Sequence, residues 1–257
     1  MKKEETQLQK RLIELSNIAY QRNIATYSDF LNLHELNILH TTPKNMFPIP
    51  YETFGGYSCA ERQMATFLPD ALYAFGGNQS RKNYPFHPLR IYPLHAKFAE
   101  VLTHRDYLGA LLNLGIERNK IGDIIVLKME AVIFVQEKIM AYIMDSLNRI
   151  KHTSVMTEQL CDQEFSYTPQ YQEIKGTVAS VRLDSLLSLA FPLSRSKLTG
   201  MIEGAKVYVN GRLITTNSYQ VKEDDIISVR GMGKMAYRGI ISETKKSRCY
   251  VTIHKYI

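Results

Sequence analysis

Leu8, Leu12, Leu15 and Ala19 recur at the spacing of one helical face, and this stripe predicts an amphipathic helix at the start of the chain. A second helix is expected from Ser28-Asp29, with Ser28 as its cap, towards His40. The texture then breaks: TTPKNMFPIPYETFGGYS carries Pro43, Pro48, Pro50 and Gly55-Gly56 and reads as loop. A short helix is expected from Ala60 to Phe67, and Gly76 to Ser80 reads as a boundary. Beyond it, LRIYPLHA alternates like a strand, and Asp106 to Leu114 has a helical pattern that stops at Gly115. Gly122-Asp123 leads into two apolar strands, Ile124 to Leu127 and Ala131 to Val135. Glu137 to Leu147 is a further helix, with Ile139, Tyr142, Ile143 and Leu147 on one side, and Thr153 to Thr157 a further strand. Strand, helix, hairpin, helix and strand in this order predict a sheet covered by helices. No internal repeat is visible.

Gln159 to Gln172 is polar, contains Pro169 and has no period, as expected of a linker. The pattern resumes as two short helices that run into a tight hairpin. Ser194 stands where the second helix needs its cap, and Leu198, Met201, Ile202 and Ala205 share a face. Arg195 and Lys197 flank that face, so their stems can pack while their charges reach outward. Gly204 ends the helix, Val207 and Val209 form a strand, and Asn210-Gly211 is a strong hairpin signal. Arg212 begins the return strand, and Ile226, Ile227 and Val229 close a small sheet.

Charge changes the picture. The net charge is +7, and the excess is local: 13 basic against 6 acidic residues from Gly176 onward, 19 against 19 before it. A polyanionic partner for the last third is the expectation. Cys59, Cys161 and Cys249 are odd in number and far apart, which fits a reducing compartment rather than a disulfide framework or zinc site. The start of the chain lacks the apolar core of a signal peptide, and IIVLKMEAVIFV is too short and too charged to span a bilayer. A soluble, cytoplasmic protein with no membrane partner is expected.

Arg182-Leu183-Asp184, Ser194-Arg195-Ser196-Lys197, Ile202-Glu203-Gly204, Val207 to Gly211, Ser218 to Val221 and Asp225 to Val229 together resemble the S4 RNA-binding domain. The resemblance implies that the helix bearing Ser194-Arg195 and the following hairpin face RNA phosphates. Its implied RNA-binding residues are Arg182, Ser194, Arg195, Lys197, Lys206, Asn210 and Arg212, with Lys234 added from the basic tail. Lys206 stands where the family more often has arginine, keeping charge without the two-pronged fork. Asp184 either contributes to the site or caps or pairs with arginine, and Asn210-Gly211 either contacts RNA or only shapes the turn. The tail, with Lys234, Arg238, Lys245, Lys246, Arg248 and Lys255, either extends the footprint or is a solvated face. Phosphate-directed cations give affinity and placement rather than base reading, so structured RNA is the expected partner.

Catalytic patterns are weak. His104-Arg105-Asp106 lacks the asparagine spacing of a kinase loop, and no glycine-rich phosphate loop or metal-spaced histidine cluster occurs. Arg182-Leu183-Asp184 echoes the catalytic triplet of pseudouridine synthases, but it lies in the first helix of the S4-like segment. Taken with the S4-like segment, HRDYLGALLNLGIERNKIGDIIV (His104 to Val126) resembles the YlmH family of bacterial proteins over nearly the full length. That resemblance implies an α+β protein: a mainly helical region over 1–79, an RRM-like α/β sandwich over 80–165, and a C-terminal S4 (αL-type) domain over 176–257. No aromatic-rich RNP sequence is present in the middle region, which argues against base stacking there. His104 and Arg105 either contact RNA or, with Asp106, cap and brace the fold.

The expected function is a non-enzymatic, cofactor-free factor that binds rRNA and tRNA. The family implies a large ribosomal subunit with peptidyl-tRNA, and ribosome-associated quality control beside a partner that adds an alanine tail. The alternatives are an RNA-modifying enzyme of the pseudouridine-synthase type and an adaptor linked to cell division.

Overall fold

A computed structural model describes residues 3–69, 84–161, 167, 169–244 and 247–257. The chain has an α+β fold in two units, Met1–Tyr167 and Thr168–Ile257.

In the first unit, helix α1 (Lys3–Arg22) buries the expected stripe, with Leu12, Leu15 and Ala19 in a core. Strand β1 (Thr26–Leu31) follows, and helix α2 (Leu33–Thr41) starts later than expected. The reason is local: Asn32, not Ser28, is the cap. Its Oδ1 accepts from the His34 and Glu35 amides at 2.9 and 3.0 Å, while the Asn32 amide donates to Glu35 Oε2 at 2.7 Å. Ser28 is drawn into the sheet instead, its Oγ accepting from the Ala65 amide at 2.9 Å.

Strands β2 (Tyr51–Phe54) and β3 (Gln63–Phe67) join β1 in the order β1-β3-β2. The helix expected over residues 60–67 is thus corrected to strand β3. Its side chains alternate, Ala65 and Phe67 towards α1 and α2, Met64 towards the opposite core. The boundary expected at Gly76 to Ser80 falls outside the described residues.

Next come β4 (Phe86–Pro93), α3 (His104–Asn113), β5 (Ile121–Val126), β6 (Ala131–Gln136), α4 (Glu137–Ser146), β7 (Arg149–Ile150) and β8 (Thr153–Gln159). The strands form an antiparallel sheet in the order β5-β6-β4-β8-β7. Leu89, Ile91, Ile133 and Val135 meet Tyr107 and Leu111 of α3 and Met140 and Ile143 of α4. On the other face, Phe86 and Phe134 pack with Phe30, Met64 and Ile125. The first region and this sheet therefore share a core within one unit.

The second unit opens with β9 (Tyr171–Val178), then α5 (Leu183–Ala190), α6 (Arg195–Glu203), β10 (Val207–Val209), β11 (Arg212–Leu213), β12 (Ile226–Val229), β13 (Gly233–Glu243) and β14 (Cys249–Tyr256). Its antiparallel sheet runs β11-β10-β12-β13-β14-β9. The stretch read as linker ends in β9, which pairs with β14 from Tyr171↔Tyr256 to Val178↔Cys249. Leu183, Leu186 and Leu187 of α5 and Leu198 and Ile202 of α6 cover one sheet face, against Val207, Val209, Ile227, Val229, Met235, Val251 and Ile253. At Asn210-Gly211 the φ angles are 48° and 77°, the left-handed pair that the hairpin requires.

Candidate nucleic-acid interface

Helix α6 presents the strongest cationic candidates. Ser194 is its cap, Oγ accepting from the Lys197 amide at 3.4 Å. Arg195 and Lys197 are exposed, and their side chains have no hydrogen bond or ion pair among the described residues. Two cations in a first helical turn sit at the positive end of the helix dipole, an arrangement that an incoming anion relieves.

A second pair emerges from strand register. Val207 opposes Val229 across β10 and β12, so Lys206 and Arg230 are the next opposed positions, and the Arg230 amide donates to the Lys206 carbonyl at 2.8 Å. Both are exposed, and neither side chain is paired among the described residues. Like charges directly opposed across strands destabilise a sheet unless an anion comes between them. The sequence reading missed Arg230, because only the β10–β12 register places it beside Lys206. Arg212, at the start of β11, is also exposed and unpaired among the described residues.

Other expected residues are occupied within the fold. Arg182 forks onto Asp184, Nε to Oδ1 at 3.1 Å and Nη2 to Oδ2 at 3.0 Å. Asp184 Oδ1 also accepts from the Ser185 amide at 3.0 Å. Asn210 donates Nδ2 to Asp225 at 2.7 Å and accepts from the Ile226 amide at 2.9 Å. Lys234 lies opposite Ser228 and is half-buried.

The basic tail largely folds into β13 and β14. Arg238 binds Asp224 at 2.6 Å and His254 at 3.2 Å, Arg248 donates to the Thr177 carbonyl at 3.3 Å, and Lys255 lies 5.0 Å above the Phe191 ring. Lys245 and Lys246 fall outside the described residues.

Residues 181–227 match the S4 domain, and residues 88–164 match a family described as "Putative RNA-binding domain in YlmH". The chain thus carries a YlmH-type RNA-binding domain followed by an S4 domain. A curated relative, "Ribosome-associated protein quality control protein P2" of Bacillus subtilis (strain 168), is 26% identical over 255 residues, covering 99% of this chain and 96% of its own. A solved structure, "Cell division protein ylmH from Streptococcus pneumoniae", shares the fold with a TM-score of 0.51 and 20% identity, over 64% of this chain and 95% of that one.

Within the YlmH-type first unit, the sheet face opposite the helices is closed by aromatic packing. Phe30 lies 5.0 Å from Phe86, and Tyr57 stacks at 5.8 Å on Phe134. The part of that face around Arg90 carries Glu130 and Glu158, at 2.6 and 3.5 Å from its guanidinium. Tyr92 on that face lies under the Arg90 guanidinium at 4.9 Å, so among the described residues neither portion shows an uncovered aromatic platform of the kind that stacks bases.

His104 and Arg105 open α3 and are exposed. The brace there is Asp106: its Oδ2 accepts from the Thr103 amide at 2.8 Å, and Oδ1 pairs with Lys151 at 2.7 Å. These bonds hold the Asp106 carboxyl down to about 2, Lys151 contributing most. Burial, and then the Arg118 charge, hold His104 below the usual histidine range. Among the described residues, no helix is long and apolar enough to cross a membrane.

Proposed function

We propose that this chain is an RNA-binding factor without catalysis of its own, seated on the large ribosomal subunit and acting in the rescue of stalled ribosomes. The observation that carries the RNA reading is the opposed pair Lys206 and Arg230, unneutralised among the described residues beside a hairpin that also exposes Arg212. Arg195 and Lys197 at the start of α6 add a second cationic position. Phosphates fit both, because the requirement is for negative charge and not for a base edge. On this reading Arg195, Lys197, Lys206, Arg212 and Arg230 touch RNA, while Arg182, Ser194 and Asn210 hold the helix and hairpin in place.

The ribosomal assignment is supported by the curated relative's name, which describes a ribosome-associated quality-control protein. The matching near-complete lengths of the two chains support carrying that role across. The RNA is then rRNA together with peptidyl-tRNA on the large subunit, with a separate factor adding the alanine tail. Sucrose-gradient sedimentation of tagged protein from cells with stalled translation tests this. Comigration with large subunits that carry tRNA, lost in R195A/K197A/K206A/R230A, is the expected result. Sedimentation of the wild type only at the top of the gradient would refute the assignment.

A further inference from the structure

Arg62 and Arg118 meet over a single backbone oxygen. Arg62 Nε donates to the Ile121 carbonyl at 2.9 Å, and Arg118 Nη1 donates to the same atom. Arg62 Nη2 reaches the Phe30 and Arg118 carbonyls at 3.0 and 3.1 Å, and Arg118 Nη1 also reaches the Gly122 carbonyl at 3.0 Å. Both side chains are partly buried, and no carboxylate forms an ion pair with either guanidinium among the described residues. The acid between them, Asp123, is taken up by the Tyr57 hydroxyl at 2.7 Å and by the Glu61 and Arg62 amides at 2.7 and 3.1 Å.

Bracing those carbonyls uses only part of each fork. Arg62 Nη1 and Arg118 Nε and Nη2 have no partner among the described residues, and none is a buried atom. Burial and then the neighbouring Arg62 hold Arg118 down to about 10, as expected of two like charges brought together out of bulk water. Asp123 acts on both charges and Glu35 on Arg62, yet two partly desolvated guanidiniums with spare donors are still suited to an oxyanion, which accepts forked hydrogen bonds.

We infer that Arg62 and Arg118 form a backbone-phosphate site for RNA, separate from the S4 cations. The inference rests on the RNA-binding reading above and adds a second anchor in the first unit. It also assigns the closed sheet face no part in that contact: the first unit holds RNA by phosphate and not by stacking. A phosphate is preferred over a protein carboxylate because the α6 and Lys206–Arg230 cations call for the same ligand chemistry, and one RNA supplies many such groups.

The test uses the full chain and two probes. In the first, arginine Nε–H resonances are followed while inorganic phosphate replaces chloride at constant ionic strength. In the second, affinity for a tRNA transcript is measured against salt for the wild type, R118Q, R118K and R195A/K197A. The Arg118 Nε–H signal should move with phosphate. R118Q should flatten the log–log salt slope by about 0.7–0.9, so its disadvantage to the wild type should shrink about threefold over a roughly fourfold rise in salt. R118K should restore the slope, since charge alone sets it, but only part of the affinity. If R118Q fails to fold, R118K still decides through its affinity, because lysine keeps the charge but loses the fork, and a wild-type affinity in R118K would then remove the site. A slope unchanged in R118Q, with flattening in R195A/K197A, would remove this site and leave the S4 reading intact. A phosphate response without RNA binding by the wild type would overturn both, leaving a site for free phosphate or an acidic protein.

Discussion

Arg182 and Asp184 close a two-pronged ion pair at the start of α5, with both N–O distances near 3 Å (3.1 and 3.0 Å). The triplet that resembles a synthase motif therefore has its carboxylate committed to an arginine and a helix amide. Because Arg182 is about one-third exposed, the pair's contribution to stability is small, roughly 0.2–1 kcal/mol. R182A should lower the melting midpoint slightly and weaken RNA binding less than R195A does. Paired thermal melts and binding isotherms check this, and an R182A loss as large as that of R195A would place Arg182 in direct contact with RNA.

The α6 and hairpin cations set the salt dependence. Neutralisation of about four to six phosphates gives a log K against log salt slope near −3 to −5. R195A/K197A should flatten it by roughly 2 and weaken binding to unrelated structured RNAs alike. A variant whose slope matches the wild type would put the RNA elsewhere.

Lys206 and Arg230 make a prediction in which stability and function diverge. Removing one member of an opposed like-charge pair relieves repulsion of about 0.2–1 kcal/mol. R230A should therefore keep or slightly raise the melting midpoint while lowering RNA affinity. A drop in both would show that Arg230 supports the fold instead.

Asn210 combines a left-handed φ of 48° with hydrogen bonds to Asp225 and the Ile226 amide. N210A removes both bonds and leaves Asp225, itself buried, with one partner fewer. The expected loss is about 1–3 kcal/mol, read from urea unfolding. N210G eases the backbone conformation but not the lost bonds, so it should recover only part of that loss.

Asp106 provides a pH test. Its folded pKa is depressed to about 2 from 3.8, so its contribution is complete above the unfolded value and is lost as pH falls through about 2. Carboxyl NMR should show Asp106 titrating near that value, and K151M should move the titration upward. An Asp106 titration unchanged in K151M would leave the helix cap as the sole cause.

Local rules reached far in this chain. The α1 stripe, the β6 strand, the Ser194 cap and the Asn210-Gly211 turn are all set by neighbours in sequence, and each formed in place, whereas β5 starts at Ile121 and takes in the Gly122-Asp123 expected as a turn. The failures arose where distant partners decide. Gln63–Phe67 carries a composition open to helix or strand, and pairing with both β1 and β2 made it a strand. The polar stretch at 171–178 and the tail at 233–256 became strands because they pair with one another and with β12.

The same division holds for the site. Sequence by itself determined the S4-type helices and hairpin, the local excess of positive charge and the exposed Arg195 and Lys197, because periodicity, capping and turn chemistry act within a few residues. Tertiary structure alone decided which cations remain free for an anion. It tied Arg182 to Asp184, Asn210 to Asp225 and Arg238 to Asp224, set Arg230 opposite Lys206, and brought Arg62 to Arg118 across more than fifty residues of chain. Charge is a property of a residue, but its neutralisation depends on what the folded chain places within hydrogen-bonding distance.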